Sequence, residues 1–294
     1  MILTKADKYM VDLIHHIKDN GYWDENPRPK YADGTPAHTI SVNHTVRSYD
    51  ISKGEFPICT FRPIAWKTGI REIFTIYQHP TNNIEEMHKY GVNWWDEWDI
   101  GDGTIGQRYG ATVDRHHLIQ NLLEDIQNDP FGRRKIVSLW QEQDLHETPG
   151  LAPCAFLTIW NVRKGKEKNY LDMMMVQRSG DMLTASGPGG INEVQYAALL
   201  MMVAAHTNLT PGVFTHVVAN EQIYDRHMEA ADSMLVRAGM LPPGVEDYRN
   251  NLFQTPWLHL STNYTTNFYD FCIDDFVMVG YNPIQPQLKL ELGI

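Results

Sequence analysis

Four groups of residues have types suited to chemistry: Cys154, Glu72, the Arg133-Arg134 pair and the Arg178-Ser179 pair. Cys154 lies in LAPCAFLTIW, directly after Pro153 and at the start of an apolar, strand-like run. A lone cysteine is commonly a small core residue. Three features raise a nucleophile as the alternative. Pro153 restricts the backbone in front of the thiol, strand ends open towards clefts, and arginines lie nearby in sequence. A guanidinium beside a thiol favours the thiolate, the form that attacks electrophilic carbon. The arginine pairs are either exposed charges capping strands or an anion site, because guanidinium forks and a hydroxyl suit phosphate oxygens. Glu72 interrupts an apolar helical stretch, AWKTGIREIFTIYQ. A carboxylate there is either paired with Arg71 at the surface or held in a polar cavity.

Other patterns carry less. Gly101, Gly103 and Gly106 satisfy G-x-G-x-x-G but follow WWDEWD rather than an apolar strand, so a turn-rich loop is expected. The histidines form no HExxH, and the adjacent pairs His15-His16 and His116-His117 point in different directions on any regular element. No metal is expected. Cys59, Cys154 and Cys272 are too far apart for a CxxC site or a disulfide framework, which suits a reducing compartment.

The elements that must position these groups follow from periodicity in a chain of 294 residues, 43% hydrophobic. Residues 4–19 have helical spacing, with Ala6, Met10, Leu13, Ile14 and Ile17 on one face. Strands are expected at 39–50, 56–62, 135–140, 155–162, 170–177, 212–219, 275–281 and 286–292. Helices are expected at 64–79, 81–91, 116–128, 191–206 and 225–239. The helix at 191–206 is apolar nearly all round and therefore central. Strands and helices mix without regular alternation, so the fold class is α+β, in one domain spanning 1–294. The net charge of −11 opposes general binding to nucleic acid or anionic membranes. No run approaches the ~20 apolar residues of a membrane span. Lys5, Asp7, Lys8 and Asp12 interrupt the opening stretch, which lacks a signal-peptide core, so a cytoplasmic protein is expected.

Together the segments resemble the thymidylate synthase family. FPICTFRPIAWKTGIREIF, GVNWWDEWDIGDGTIGQRYG, GRRKIVSLW, LAPCAF, VQRSGDM, INEVQYAALLMM, IYDRHM and QLKLEL stand in family order along the chain. RPKYADGTPAHT is most similar to the enzymes of low-GC Gram-positive bacteria and their phages. The resemblance implies a mixed sheet with packed helices, the sheet forming a homodimer interface. It implies that Cys154 attacks C6 of dUMP, and that 5,10-methylenetetrahydrofolate supplies the carbon and the hydride that make dTMP. Arg28, Arg178 and Ser179 then hold the phosphate, joined by Arg133 and Arg134 of the other subunit. Glu72 handles protons at O4 and the folate. Trp95, Asp181 and Ile294 contact the folate, with Arg62 near its glutamyl tail. Asn192 reads the uracil edge beside Gln177, and Tyr109 and Tyr224 complete the pocket.

Three positions depart from the family pattern. Ala155 follows the nucleophile where many members have histidine. The loop before Asn192 is lengthened to TASGPGG, and Gln222 replaces the histidine that helps to bind the ribose hydroxyl. Two alternatives therefore stand beside methylation: hydroxymethylation of dUMP or dCMP on the same residues, and a non-catalytic nucleotide- or RNA-binding role.

Overall fold

The computed structural model describes residues 3–239 and 255–293. Helix α1 (Lys5–Asn20) opens with a reciprocal cap, Thr4 accepting from Asp7 N while the Asp7 carboxylate accepts from Thr4 N. Asp7 also accepts from Thr60 N at 2.7 Å, which ties the helix start to the segment that carries Arg62.

Seven strands form the main sheet: β1 (Tyr22–Trp23), β2 (Thr39–Asp50), β3 (Lys135–Ser138), β4 (Ala155–Arg163), β5 (Tyr170–Gln177), β6 (Gly180–Asp181) and β7 (Thr210–Tyr224). Their order is β1-β2-β7-β5-β4-β3, with β6 also beside β7. β5 and β6 run parallel to β7 and the other pairs are antiparallel, so the sheet is mixed. Arg178 and Ser179 occupy the break between β5 and β6. Two strands further on, β8 (Trp257–Leu260) and β9 (Phe276–Val279), pair separately.

Helix α7 (Ile191–His206) is buried continuously from Glu193 to Ala204. It packs against α2 (Trp66–Ile73), which continues as a π-helical turn over Phe74–Gln78. A Cβ on Gly69 would lie 3.2 Å from Ile191 Cγ2 and 3.3 Å from Gln195 Cγ, so glycine lets the two helices close together. That contact faces Glu72 of α2 towards Gln195 of α7. The remaining helices are α3 (Ile84–Lys89), α4 (Gly110–Arg115), α5 (Leu118–Asn128), α6 (Glu142–Glu147) and α8 (Met228–Gly239).

The expected strand at 39–50 and helix at 191–206 coincide with β2 and α7, and 170–177 coincides with β5. Two expected strands are absent. In 56–62, Ile58 N turns back to Phe56 O at 3.0 Å, while Cys59 N bonds Gly189 O at 3.0 Å rather than a neighbouring strand. In 286–292, Leu288 and Leu290 pack on the cluster around α1 and α8, so that apolar alternation buries a tail instead of pairing it. Among the described residues no helix is long and apolar enough to cross a membrane.

Candidate active site

The β4–β5 register places Ala155 opposite Gln177, which brings Cys154 beside Arg178. Arg178 N donates to Cys154 O at 2.9 Å. Its guanidinium donates to Ala152 O at 2.7 Å and Pro153 O at 3.0 Å, and Nη2 reaches Cys154 Sγ at 3.5 Å. Burial pushes the Cys154 thiol above its ordinary pKa, and Arg178 opposes that rise without cancelling it. Part of the guanidinium is committed to two backbone carbonyls, which limits what it offers the sulfur.

Tyr109 closes the other side of the cysteine. Its hydroxyl accepts from Cys154 N at 3.3 Å, and its ring meets Trp95 with centroids 4.9 Å apart. Tyr109 has φ of 48°, outside the usual range for a side-chain-bearing residue, just before α4. Such a conformation costs about 1–3 kcal/mol and persists only where surrounding packing enforces it. Gly101, Gly103 and Gly106 all have positive φ in the preceding loop, which makes that run a series of turns.

Glu72 is the cavity case, not a surface ion pair. It is 7% exposed, and its carboxyl accepts from Trp94 Nε1 at 3.0 Å, from Trp95 Nε1 and from Gln195 Nε2. Burial pushes its pKa up, opposed by these three donors. Gln195 Oε1 in turn accepts from Asn192 Nδ2 at 3.0 Å, and Asn192 Oδ1 accepts from Gln177 Nε2 at 3.3 Å. The lengthened loop therefore still delivers Asn192 to Gln177. The loop opens with a π-helical turn over Met182–Ser186, capped by Asp181 accepting from Thr184 N at 3.3 Å. Gly189 seats the loop at φ 67°, where an added Cβ would meet Cys59 N at 2.2 Å.

The Tyr224 hydroxyl marks where further candidates meet. Burial raises its pKa to about 12, the fields of Asp181, Arg28 and Cys154 all act on it, and it hydrogen-bonds with Gln222. Arg28, Arg133 and Arg134 are exposed and make no hydrogen bond or ion pair among the described residues. The Ser179 hydroxyl is likewise unpartnered among them. Arg133 and Arg134 precede β3, the edge strand of the sheet. A free cation, a free hydroxyl and a thiol beside hydrogen-bonded carboxamides can hold an anionic ligand whose ring carries an amide-like edge.

The sequence model of the family described as thymidylate synthase matches residues 8–294. The chain belongs to the thymidylate synthase family. The thymidylate synthase of Lactococcus lactis subsp. cremoris is 44% identical over 99% of this chain and 100% of its own length. That of Streptococcus pneumoniae (strain 70585) is 43% identical with the same coverage. In structure the chain is similar to the thermostable thymidylate synthase A from Bacillus subtilis, with TM-score 0.83 and 31% identity, covering 98% of this chain and 99% of that one. These relatives carry the name of the methylating enzyme and not of a hydroxymethylase.

Two further sequence candidates lie around the loop and the tail, with residues that sequence reasoning missed. Arg62 is buried and spends Nη2 on the carbonyls of Leu183 and Thr184, so it braces the loop after Asp181 rather than projecting into solvent. Ile294 lies outside the described residues, but its neighbour Gly293 rests on Tyr224, where a Cβ would come 2.9 Å from Cε1. His227 links this tail to the site. Its Nε2 lies 2.7 Å from Glu291 O and its Nδ1 3.7 Å from Asp181 Oδ1. Gln195 and Trp94, both bound to Glu72, were also missed. The available signal for Gln195 was a carboxamide in an otherwise apolar helix, INEVQYAALLMMVAAH.

Proposed function

We propose that this chain is a thymidylate synthase that converts dUMP to dTMP with 5,10-methylenetetrahydrofolate. One observation carries the residue assignment: Cys154 and Arg178, flanking the paired ends of β4 and β5, stand next to Gln177, whose carboxamide runs on through Asn192 and Gln195 to Glu72. In this reading the Cys154 thiol gives up its proton to solvent, and the thiolate beside Arg178 adds to C6 of the uracil. The C5–C6 electron pair then moves to C5 and onto O4, where Asn192 and the Glu72 chain stabilise the charge by hydrogen bonding. A carboxyl raised by burial keeps a proton to higher pH than an ordinary one, which suits Glu72 to proton transfer at O4 and C5. Arg28, Arg178 and the Ser179 hydroxyl offer free donors to the phosphate, and Gln222 with Tyr224 serves the ribose.

The residues present fit the folate. Asp181 keeps Oδ2 without a partner among the described residues, and a carboxylate oxygen suits the N–H edge of an aminopyrimidinone ring. Trp95, packed on Tyr109, offers an aromatic surface for the ring. Bound there, the folate supplies the one-carbon unit and the hydride.

We also infer a homodimer whose phosphate site is shared. The sheet face away from α7 carries an apolar row across four strands, Leu157, Val176, Val217 and Val46 in register, with Val46 59% exposed. Ile136 and Met174 beside it are 54% and 39% exposed. A second copy laid on this face would cover the row, and Arg133-Arg134 stand at its edge. Three unpaired cysteines support a reducing, cytoplasmic location. The test is folate-dependent release of tritium from C5 of labelled dUMP, with the product identified. Formation of dTMP is expected. Hydroxymethyl-dUMP as the product, or no release, overturns the reading.

A further inference from the structure

Behind Gln177 lies a buried polar cluster that meets the expected base site through Gln177. Arg47 on β2 is 3% exposed, and His216 and Glu221 on β7 and Glu193 on α7 are each 0% exposed. Arg47 is held by Glu193 Oε1 at 2.6 Å and by Glu221 Oε2 at 2.7 Å. Its Nη2 reaches His216 Nδ1 at 2.9 Å, and His216 Nε2 stands 3.1 Å from Gln177 Oε1. Gln177 Nε2 donates to Ser179 O at 3.0 Å as well as to Asn192.

These bonds form one chain with a single sense. A backbone carbonyl only accepts, so Ser179 O requires the Gln177 amide to point its NH₂ that way. Gln177 Oε1 then faces His216, and Nε2 of the imidazole must carry a hydrogen. Glu193 Oε1 also lies 3.0 Å from Nδ1, and Nε2 keeps its hydrogen whether or not Nδ1 has one. From His216 the donors run to Gln177, and Gln177 Nε2 donates to Asn192 Oδ1. On the far side Asn192 Nδ2 donates to Gln195 Oε1, and Gln195 Nε2 donates to the Glu72 carboxyl, which ends the chain.

We infer that His216, positioned by Arg47 and Glu193, sets which way round the Asn192 amide points and so makes the site prefer uracil to cytosine. With Oδ1 and Nδ2 each engaged once, Asn192 has one lone pair and one hydrogen left. That pair matches N3–H and O4 of uracil. Cytosine offers a bare N3 and an amino group at C4, which needs the amide reversed. Reversal puts Asn192 Nδ2 against Gln177 Nε2, donor against donor, and Oδ1 against Gln195 Oε1, acceptor against acceptor. The donor–donor conflict with Gln177 is relieved only if Gln177 also turns, and Ser179 O and His216 prevent that. Arg47, Glu193 and His216 are therefore positioning residues that act on the base through Gln177.

The inference rests on Asn192 as base reader, and two experiments separate its failure from the failure of that reading. The first measures the ratio of kcat/KM for dUMP to that for dCMP. His216→Phe keeps an aromatic ring but removes the donor, leaving the carboxamides free to reverse. The ratio should fall at least about tenfold, because each mismatched buried hydrogen bond is no longer enforced. His216→Gln, whose Nε2 can take the place of the ring N–H, should restore most of it. A general packing defect lowers both substrates together and leaves the ratio alone. If Asn192→Asp shifts the ratio but an active His216→Phe does not, this inference fails and the base reader stands. If Asn192→Asp also leaves it unchanged, the base-reading assignment itself is wrong. The second experiment needs no variant to fold: ¹H–¹⁵N correlation of the histidine rings in wild-type protein. Hydrogen on Nε2 of His216 is expected, and a ring protonated on Nδ1 alone overturns the chain.

Discussion

Glu72→Gln tests both the cavity and the chemistry. The wild-type carboxyl accepts three N–H groups, two indoles through Oε1 and Gln195 Nε2 through Oε2. Glutamine keeps one oxygen for the indoles but turns an NH₂ towards Gln195, so a buried donor loses its acceptor. That mismatch costs about 1–3 kcal/mol of stability. For a chain of this size the melting temperature should fall by about 2–10 °C, leaving the protein folded at assay temperature. Turnover should fall by about 10²–10⁴, the usual contribution of a positioned acid–base group. The pH dependence supplies a sign. Burial raises the Glu72 pKa, so the folded chain holds this proton where the unfolded chain has released it. The associated stability is complete below the ordinary glutamate value of about 4.3 and is lost as pH rises through the raised value. Glutamine does not titrate, so the stability advantage of wild type over the variant should shrink as pH rises through that window. Denaturant unfolding across pH, alongside kcat at one pH, measures both effects. A kcat within about tenfold of wild type, or an advantage constant across pH, refutes the reasoning.

Cys154→Ser should abolish turnover while dUMP still binds, measured by single-turnover kinetics and calorimetry; activity close to wild type counts against the nucleophile. In a Cys272→Ser background, iodoacetamide should label Cys154 of the free protein with a pH midpoint above the ordinary thiol value of about 8.5, and Arg178→Met should move it higher. A midpoint below that value contradicts the buried thiol. Asn192→Asp should shift the dUMP/dCMP ratio of catalytic efficiencies towards dCMP, because a protonated carboxyl donates to N3 and accepts from the amino group. Mixed Cys154→Ser and Arg134→Ala subunits, each inactive alone, should regain part of the wild-type rate after verified exchange. No recovery argues against a shared phosphate site.

Local pattern alone determined a good deal. β5 and α7 were legible to the residue, β5 as a short apolar run between turn signals and α7 as a mostly apolar run too long for a strand. Pro153-Cys154 before a strand was legible as well, and so was Glu72 as an anomaly, since a carboxylate in an apolar helix demands a reason. Local pattern did not supply the reason. Glu72 meets Gln195 123 positions away, and His216 meets Gln177 39 positions away. Asn192 meets Gln177, 15 positions away, across a loop that opens with a π-helical turn. Likewise 286–292 alternates like a strand, yet its leucines bury against α1 and α8. Periodicity records which face of an element is apolar, whereas hydrogen-bond partners depend on how elements meet. Gly69 lets α2 and α7 approach, and the parallel β5–β7 register sets His216 beside Gln177. These contacts exist only once the chain has closed on itself, so the direction of the buried amides, and with it the chemistry of the base pocket, belongs to the tertiary structure.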